Sequence, residues 1–153
     1  MTHYFSLSAC VSVRGAHSHT VQYDVVFDSS FRRIQSAGDV FFDRFYDRFL
    51  STSDEVRAKF SGTNMRRQKD LLKSSFFHIV NFYTSHRDND YLKEMAQKHS
   101  RTDLDVQPSM YDSWLDCLIQ TVRDTDPECT SDVLLAWTIV MAPGIAYMKY
   151  HYA

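Results

Sequence analysis

The sequence predicts an all-helical single domain, and three observations predict it. Its 153 residues include only 4 Gly and 3 Pro, too few for the frequent turns of a strand-rich fold. Hydrophobic residues make up 44% and aromatic residues 14% of the chain, enough to enclose a substantial core or a flat cofactor. Apolar residues also recur at three- and four-residue spacing in successive segments, the period of an amphipathic helix. The domain is placed at residues 25–153, preceded by an N-terminal extension, 1–24, to which no structure is assigned. Residues 20–26, which span the boundary, carry a strand-like pattern.

Each helix has its own signals. Asp28, Ser29 and Ser30 offer short side-chain oxygens that can accept unpaired amides, so a first helix is expected to start there and run on from Phe31. Val40, Phe41, Phe45, Phe49 and Leu50 describe a second, ending at residues 51–53, where Ser53 caps a short stretch towards Phe60. Thr63 or Asn64 caps a long helix whose stripe is Met65, Gln68, Leu72, Phe76, Ile79 and Tyr83. After the polar residues 85–90, Leu92, Met95, Ala96 and His99 share a face. Pro108 suits the first turn of a helix carrying Met110, Tyr111, Trp114, Leu118 and Val122, which residues 126–128 end. The last helix holds Val133, Leu134, Trp137, Val140, Met141, Ile145 and Met148, and Pro143 is expected to kink or break it.

Charge and cysteine content exclude several function classes. A net charge of −2, from 17 basic and 19 acidic side chains, gives no electrostatic reason for a nucleic-acid partner. The Arg66-Arg67 pair reads as a solvated helix face. Cys10, Cys117 and Cys129 include no close pair, so neither a disulfide framework nor a zinc site is indicated, and a reducing, cytoplasmic setting is expected. No basic leader precedes the apolar residues 4–13, and no stretch is expected to supply the roughly 20 apolar residues of a membrane span. A soluble protein with no membrane partner follows. No Gly-rich phosphate loop, CxxC or nucleophile elbow is present, and no catalytic residue is assigned.

Of seven histidines, only His99 lies on an apolar helical face. Periodicity leaves two readings open: a core histidine satisfied by a backbone carbonyl, or a metal ligand. Gln68 is the one polar member of its stripe, and Tyr46 stands between Phe45 and Phe49. Taken singly, each could simply reach solvent. Taken with His99, they describe a cavity with a metal on one side and hydrogen-bond donors on the other.

From Phe41 onward the chain resembles a bacterial globin, the single-domain type similar to the haem domain of flavohaemoglobins. Residues 45–49, Phe-Tyr-Asp-Arg-Phe, resemble the family's distal tyrosine motif; Phe60 follows at the expected distance; residues 68–72 resemble the distal glutamine segment. Residues 96–99 and 106–111 resemble the proximal helix and the start of the next, and Ala136-Trp137 matches the final helix. The resemblance implies a globin fold around haem b, iron protoporphyrin IX, with His99 as iron ligand. Phe60, Leu72, Met95 and Val106 would line the cofactor, Tyr46, Gln68 and Leu72 would face bound gas, and Tyr111 or a helix carbonyl would accept the proximal imidazole N–H.

The implied function is binding of O2, NO or CO, with tight oxygen binding. A donor beside a gas that carries partial negative charge stabilises it by about 1.5 to 3 kcal/mol. Nitric oxide dioxygenation is implied only with an external reductase, since flavin and nicotinamide sites are not expected within these 153 residues. The alternative is a haem-based gas sensor signalling through a separate partner, as monomer or homodimer; a globin-shaped module without haem is disfavoured by His99 and Phe60. The chain departs from the family late in the last helix, where a glutamate supports the proximal histidine: residues 147–152 contain no acid, and Tyr152 falls nearest that position. The loop at residues 100–105 is also expected to be longer than in relatives.

Overall fold

Helix starts in this chain are set mainly by short polar side chains. Ser53 accepts from the Val56 amide, Asn64 from Arg67, Asn89 from Leu92 and Thr130 from Val133, each satisfying an amide that has no partner within its helix. In the computed structural model, which describes residues 20–153, these caps open four of seven helices. In chain order they are α1 (Tyr23–Ser36), α2 (Val40–Leu50), α3 (Asp54–Lys59), α4 (Met65–Ser85), α5 (Asp90–His99), α6 (Pro108–Thr125) and α7 (Ser131–Tyr150). Pro108 takes the first position of α6, where its missing N–H removes no helical bond. No strand occurs among the described residues.

The start of α1 differs from the sequence reading. Residues 23–26 are helical rather than strand-like, and Asp28, Ser29 and Ser30 lie inside α1 instead of capping it. Residues 1–19 of the expected extension lie outside the described residues. Ser30 is fully buried because its hydroxyl has distant partners: it donates to Asp126 Oδ2 at 2.6 Å and accepts from Trp137 Nε1 at 2.9 Å. Arg33 grips the same carboxylate through Nε at 2.7 Å and Nη2 at 2.8 Å. One polar knot therefore joins α1, the turn after α6, and α7.

Helix α7 packs against α1, α4, α5 and α6. Contrary to the sequence reading, it is long and apolar enough by composition to cross a membrane. Here Ala136, Trp137 and Val140 are fully buried in the core. Phe27, Phe41 and Phe76 surround Trp137 with ring centroids at 4.4, 5.7 and 5.7 Å, so α1, α2, α4 and α7 meet in one aromatic cluster. Pro143 does not break α7, which runs uninterrupted to Tyr150. The helix is packed on both sides of Pro143: Val140, Met141 and Gly144 are all buried, and a Cβ added to Gly144 would come 3.4 Å from Ile79 on α4. Helix α2 crosses α6, where Arg48 donates to Thr121 at 2.7 Å and pairs with Asp124.

Candidate functional site

Three elements converge on Tyr46. Its position on the inner face of α2 leaves it 3% exposed, and its hydroxyl oxygen accepts a hydrogen bond from Gln68 Nε2 on α4 at 3.1 Å. Phe60, at the end of α3, meets the Tyr46 ring edge-on at 5.8 Å and Phe49 at 6.0 Å. Leu72, one turn beyond Gln68, is buried in the same apolar cluster. Burial pushes the Tyr46 phenol up to about 12 despite the opposing bond from Gln68, so it remains a protonated donor at neutral pH.

His99 is the last residue of α5. Its Nδ1 lies 2.8 Å from the Met95 carbonyl one turn back, and since a carbonyl only accepts, Nδ1 carries the proton. The Nε2 lone pair makes no hydrogen bond among the described residues. Burial lowers the pKa of the ring, outweighing the Met95 bond, which favours the neutral form. The loop after His99 folds back on it: Val106 N–H donates to the His99 carbonyl at 3.1 Å and Leu104 N–H to Lys98 at 3.0 Å. Lys59 Nζ then donates to the Leu104 carbonyl at 2.8 Å, tying the corner that carries Phe60 to the loop that carries Val106.

These residues fit an iron porphyrin. No group of three His, Cys, Asp or Glu side chains that could hold a metal ion occurs among the described residues. Phe60, Met95 and Val106 are only half-buried, leaving apolar surface for a flat apolar group to cover. An imidazole with Nδ1–H fixed on a carbonyl and a free Nε2 is the arrangement an axial ligand needs.

Tyr111 is half-buried on α6, and its phenol is pushed up to about 12 by burial; it makes no hydrogen bond among the described residues. Of the two acceptors the sequence left open for the proximal N–H, the structure has the Met95 carbonyl. Sequence reasoning missed Asp105. Residues 147–152 indeed hold no acid, but Tyr152 donates its hydroxyl proton to Asp105 Oδ1 at 2.7 Å, and Gln107 Nε2 donates to the same oxygen at 3.1 Å. The signal that could have found it is slight: Asp105 has φ +50°, a left-handed conformation that Asp tolerates better than most residues. Of the other histidines, His78 stacks on Tyr91 at 3.8 Å, His86 closes α4, His151 lies beside Tyr147, and His3, His17 and His19 fall outside the described residues.

No protein-family model matches the chain. The crystal structure of a protein from Pseudomonas aeruginosa PAO1, described as structurally highly homologous to a human hemoglobin, matches it with a TM-score of 0.81 and 36% identity, covering 86% of this chain and 99% of that one. This chain belongs to the globin family. The globin is also similar to a flavohemoprotein of Candida albicans, 32% identical over 114 residues, 69% of this chain and 27% of that protein. A flavohemoprotein of Vibrio cholerae is 29% identical over 126 residues, 78% of this chain and 31% of that protein. The globin thus spans less than a third of the length of these two curated relatives.

Proposed function

We propose that this globin holds haem b through His99 and binds a diatomic gas, O2 foremost and NO or CO as alternatives, on the face of the ring next to Tyr46. The observation that carries the reading is the His99 imidazole, with Nδ1 engaged by the Met95 carbonyl and Nε2 unengaged. When bound, the iron porphyrin supplies the open coordination position that takes the gas. The chain supplies orientation and polarity around it. The Met95 carbonyl fixes the ring tautomer and raises imidazole basicity. Phe60, Leu72, Met95 and Val106 give apolar contact and exclude water.

On the gas side, Gln68 donates to the Tyr46 oxygen, which leaves the Tyr46 O–H proton free to point at a ligand. Tyr46 is then the donor to the gas, and Gln68 a residue that aims it. A hydrogen bond to a partly anionic gas is worth about 1.5 to 3 kcal/mol, so tight oxygen binding with slow release follows. With electrons from a reductase, the same site would carry nitric oxide dioxygenation, NO plus O2 plus one electron giving nitrate.

The test is spectroscopic. Haem-supplied protein is expected to show a Soret band that shifts with O2 and CO, and His99→Ala is expected to lose that band or change its coordination. A wild-type protein without a Soret band, or an unchanged spectrum in His99→Ala, overturns the reading. Nitric oxide consumption with and without added reductase then separates dioxygenation from binding alone.

A further inference from the structure

Between α1 and α4 runs an open apolar groove, lined among the described residues by these two helices alone. Its volume is about 580 Å³, and its floor is aromatic: Phe31 meets Phe76 edge-on at 5.4 Å and Phe27 at 5.9 Å, with Val80 in the same lining. Phe77 also lines it and keeps 74% of its surface exposed. The rest of the lining is polar. Asp28 and Arg32 pair at 2.9 Å along α1, whereas Gln35, Asp70, Lys73 and Ser74 make no side-chain hydrogen bond among the described residues.

The sequence ahead of α1 carries a pattern complementary to that groove. Phe5, Leu7, Ala9, Val11 and Val13 alternate with Ser6, Ser8, Cys10, Ser12 and Arg14, the period of an extended chain with one apolar and one polar face. An apolar face of that length requires a surface to receive it. We propose that residues 5–13 of this same chain lie extended in the groove, as a strap across α1 and α4.

Length and reach both suit the strap. On α1 the groove runs from Phe27 to Gln35, about 12 Å at the helical rise of 1.5 Å per residue. Five extended residues cover about 13 Å and set three side chains on one side, enough to fill the floor. Residues 14–22, which join the strap to α1, span up to about 30 Å, well beyond the roughly 12 Å from Tyr23 to Phe31, and Gly15 permits the reversal of direction. An extended backbone has no partners of its own for its N–H and C=O groups, and Gln35, Asp70, Lys73 and Ser74 offer them. Tethering raises the strap to a roughly millimolar effective concentration at the groove, so the chain's own segment outcompetes a second copy at ordinary protein concentrations. Helix α1 rests chiefly on α7 and only lightly on α4. The strap supplies the contact these two helices lack and so braces α4, the helix that carries Gln68.

Phe77 is the natural place for a probe, because it lines the groove and is exposed. In the full, haem-supplied chain, a photoreactive benzoylphenylalanine at position 77 is expected to cross-link to the peptide containing residues 5–13, in a product of monomer mass. Leu7→Ser together with Val11→Ser is expected to remove most of that product. Without the probe, the same two substitutions are expected to quicken amide exchange in α1 several-fold and to leave α6 unchanged. A product of twice the monomer mass means that a second copy fills the groove, and it overturns the strap. Absence of any cross-link to residues 5–13, or its survival in the doubly substituted chain, overturns it equally, as does an exchange rate in α1 that the substitutions leave where it was. None of these readouts depends on iron or gas, so their outcome is separate from the role of His99.

Discussion

Two readings of one imidazole coexist in His99. Its Nδ1 is satisfied by a backbone carbonyl, as an ordinary core histidine would be, and this same bond leaves Nε2 available as a ligand. Helical spacing places Met95 one turn before His99 and so makes that bond reachable from sequence; whether a second partner occupies Nε2 is a question about distant residues. Tyr46 and Gln68 divide similarly. Each stands out as a polar residue in an apolar stripe, but the proposed division into donor and aimer rests only on the 3.1 Å bond between them. Tyr46→Phe is expected to speed oxygen dissociation about tenfold or more, the equivalent of one charge-assisted hydrogen bond. Gln68→Leu, which leaves the phenol in place, is expected to have the smaller effect; stopped-flow release rates would order the two. The same buried phenols set an alkaline limit. Tyr46 and Tyr111 hold their protons to about 12 in the folded chain, whereas an unfolded tyrosine releases its proton near pH 10. The unfolded state therefore binds fewer protons between about pH 10 and 12, and stability, complete below about pH 10, falls as pH rises through that window. Each tyrosine contributes a slope of up to about 1.4 kcal/mol per pH unit, and urea midpoints measured across the window should flatten in Tyr46→Phe.

Among the helices, the knot at Asp126 shows where local signals mislead. Ser29 and Ser30 have the chemistry of caps, yet Ser30 serves a carboxylate 96 positions away. A hydroxyl can satisfy a helix end or a buried partner, and the buried partner is the more expensive one to leave unmet. Burial raises the Asp126 pKa, but bonds from Arg33, Ser30 and the Glu128 amide together hold it below the usual carboxylate value. Its stabilising contribution is therefore present at neutral pH and is lost as pH falls below about 4, through the lowered native value. Asp126→Ala takes the carboxylate from the Arg33 guanidinium and from the buried Ser30 hydroxyl proton at once, and is expected to lower unfolding free energy by about 3 kcal/mol in chemical denaturation. Pro143 misleads in the other direction: its break signal is overridden because α7 is buried against four neighbouring helices.

The whole molecule is a globin in which Tyr46, Gln68 and Phe60 meet, and the bond from Lys59 to Leu104 ties the corner beside Phe60 to the loop that follows His99. If the protein holds haem as proposed, ligand binding must stabilise the native state by mass action, about 4 kcal/mol at a thousandfold excess over the dissociation constant. Thermal unfolding with and without haem is expected to show the rise, and His99→Ala to lose most of it. By itself the sequence determined the all-helical class, the Ser53 cap and a choice of two caps for α4, the Pro108 start of α6, and the face that carries His99, because each depends on residues within a turn or two of one another. Only the tertiary structure decided which hydroxyl caps and which is buried, that Nε2 of His99 has no hydrogen-bond partner among the described residues, and that an acid reaches Tyr152 from the loop at Asp105. Those outcomes depend on groups tens of residues apart, whose meeting is fixed by helix packing, and no local period or cap signal encodes that distance.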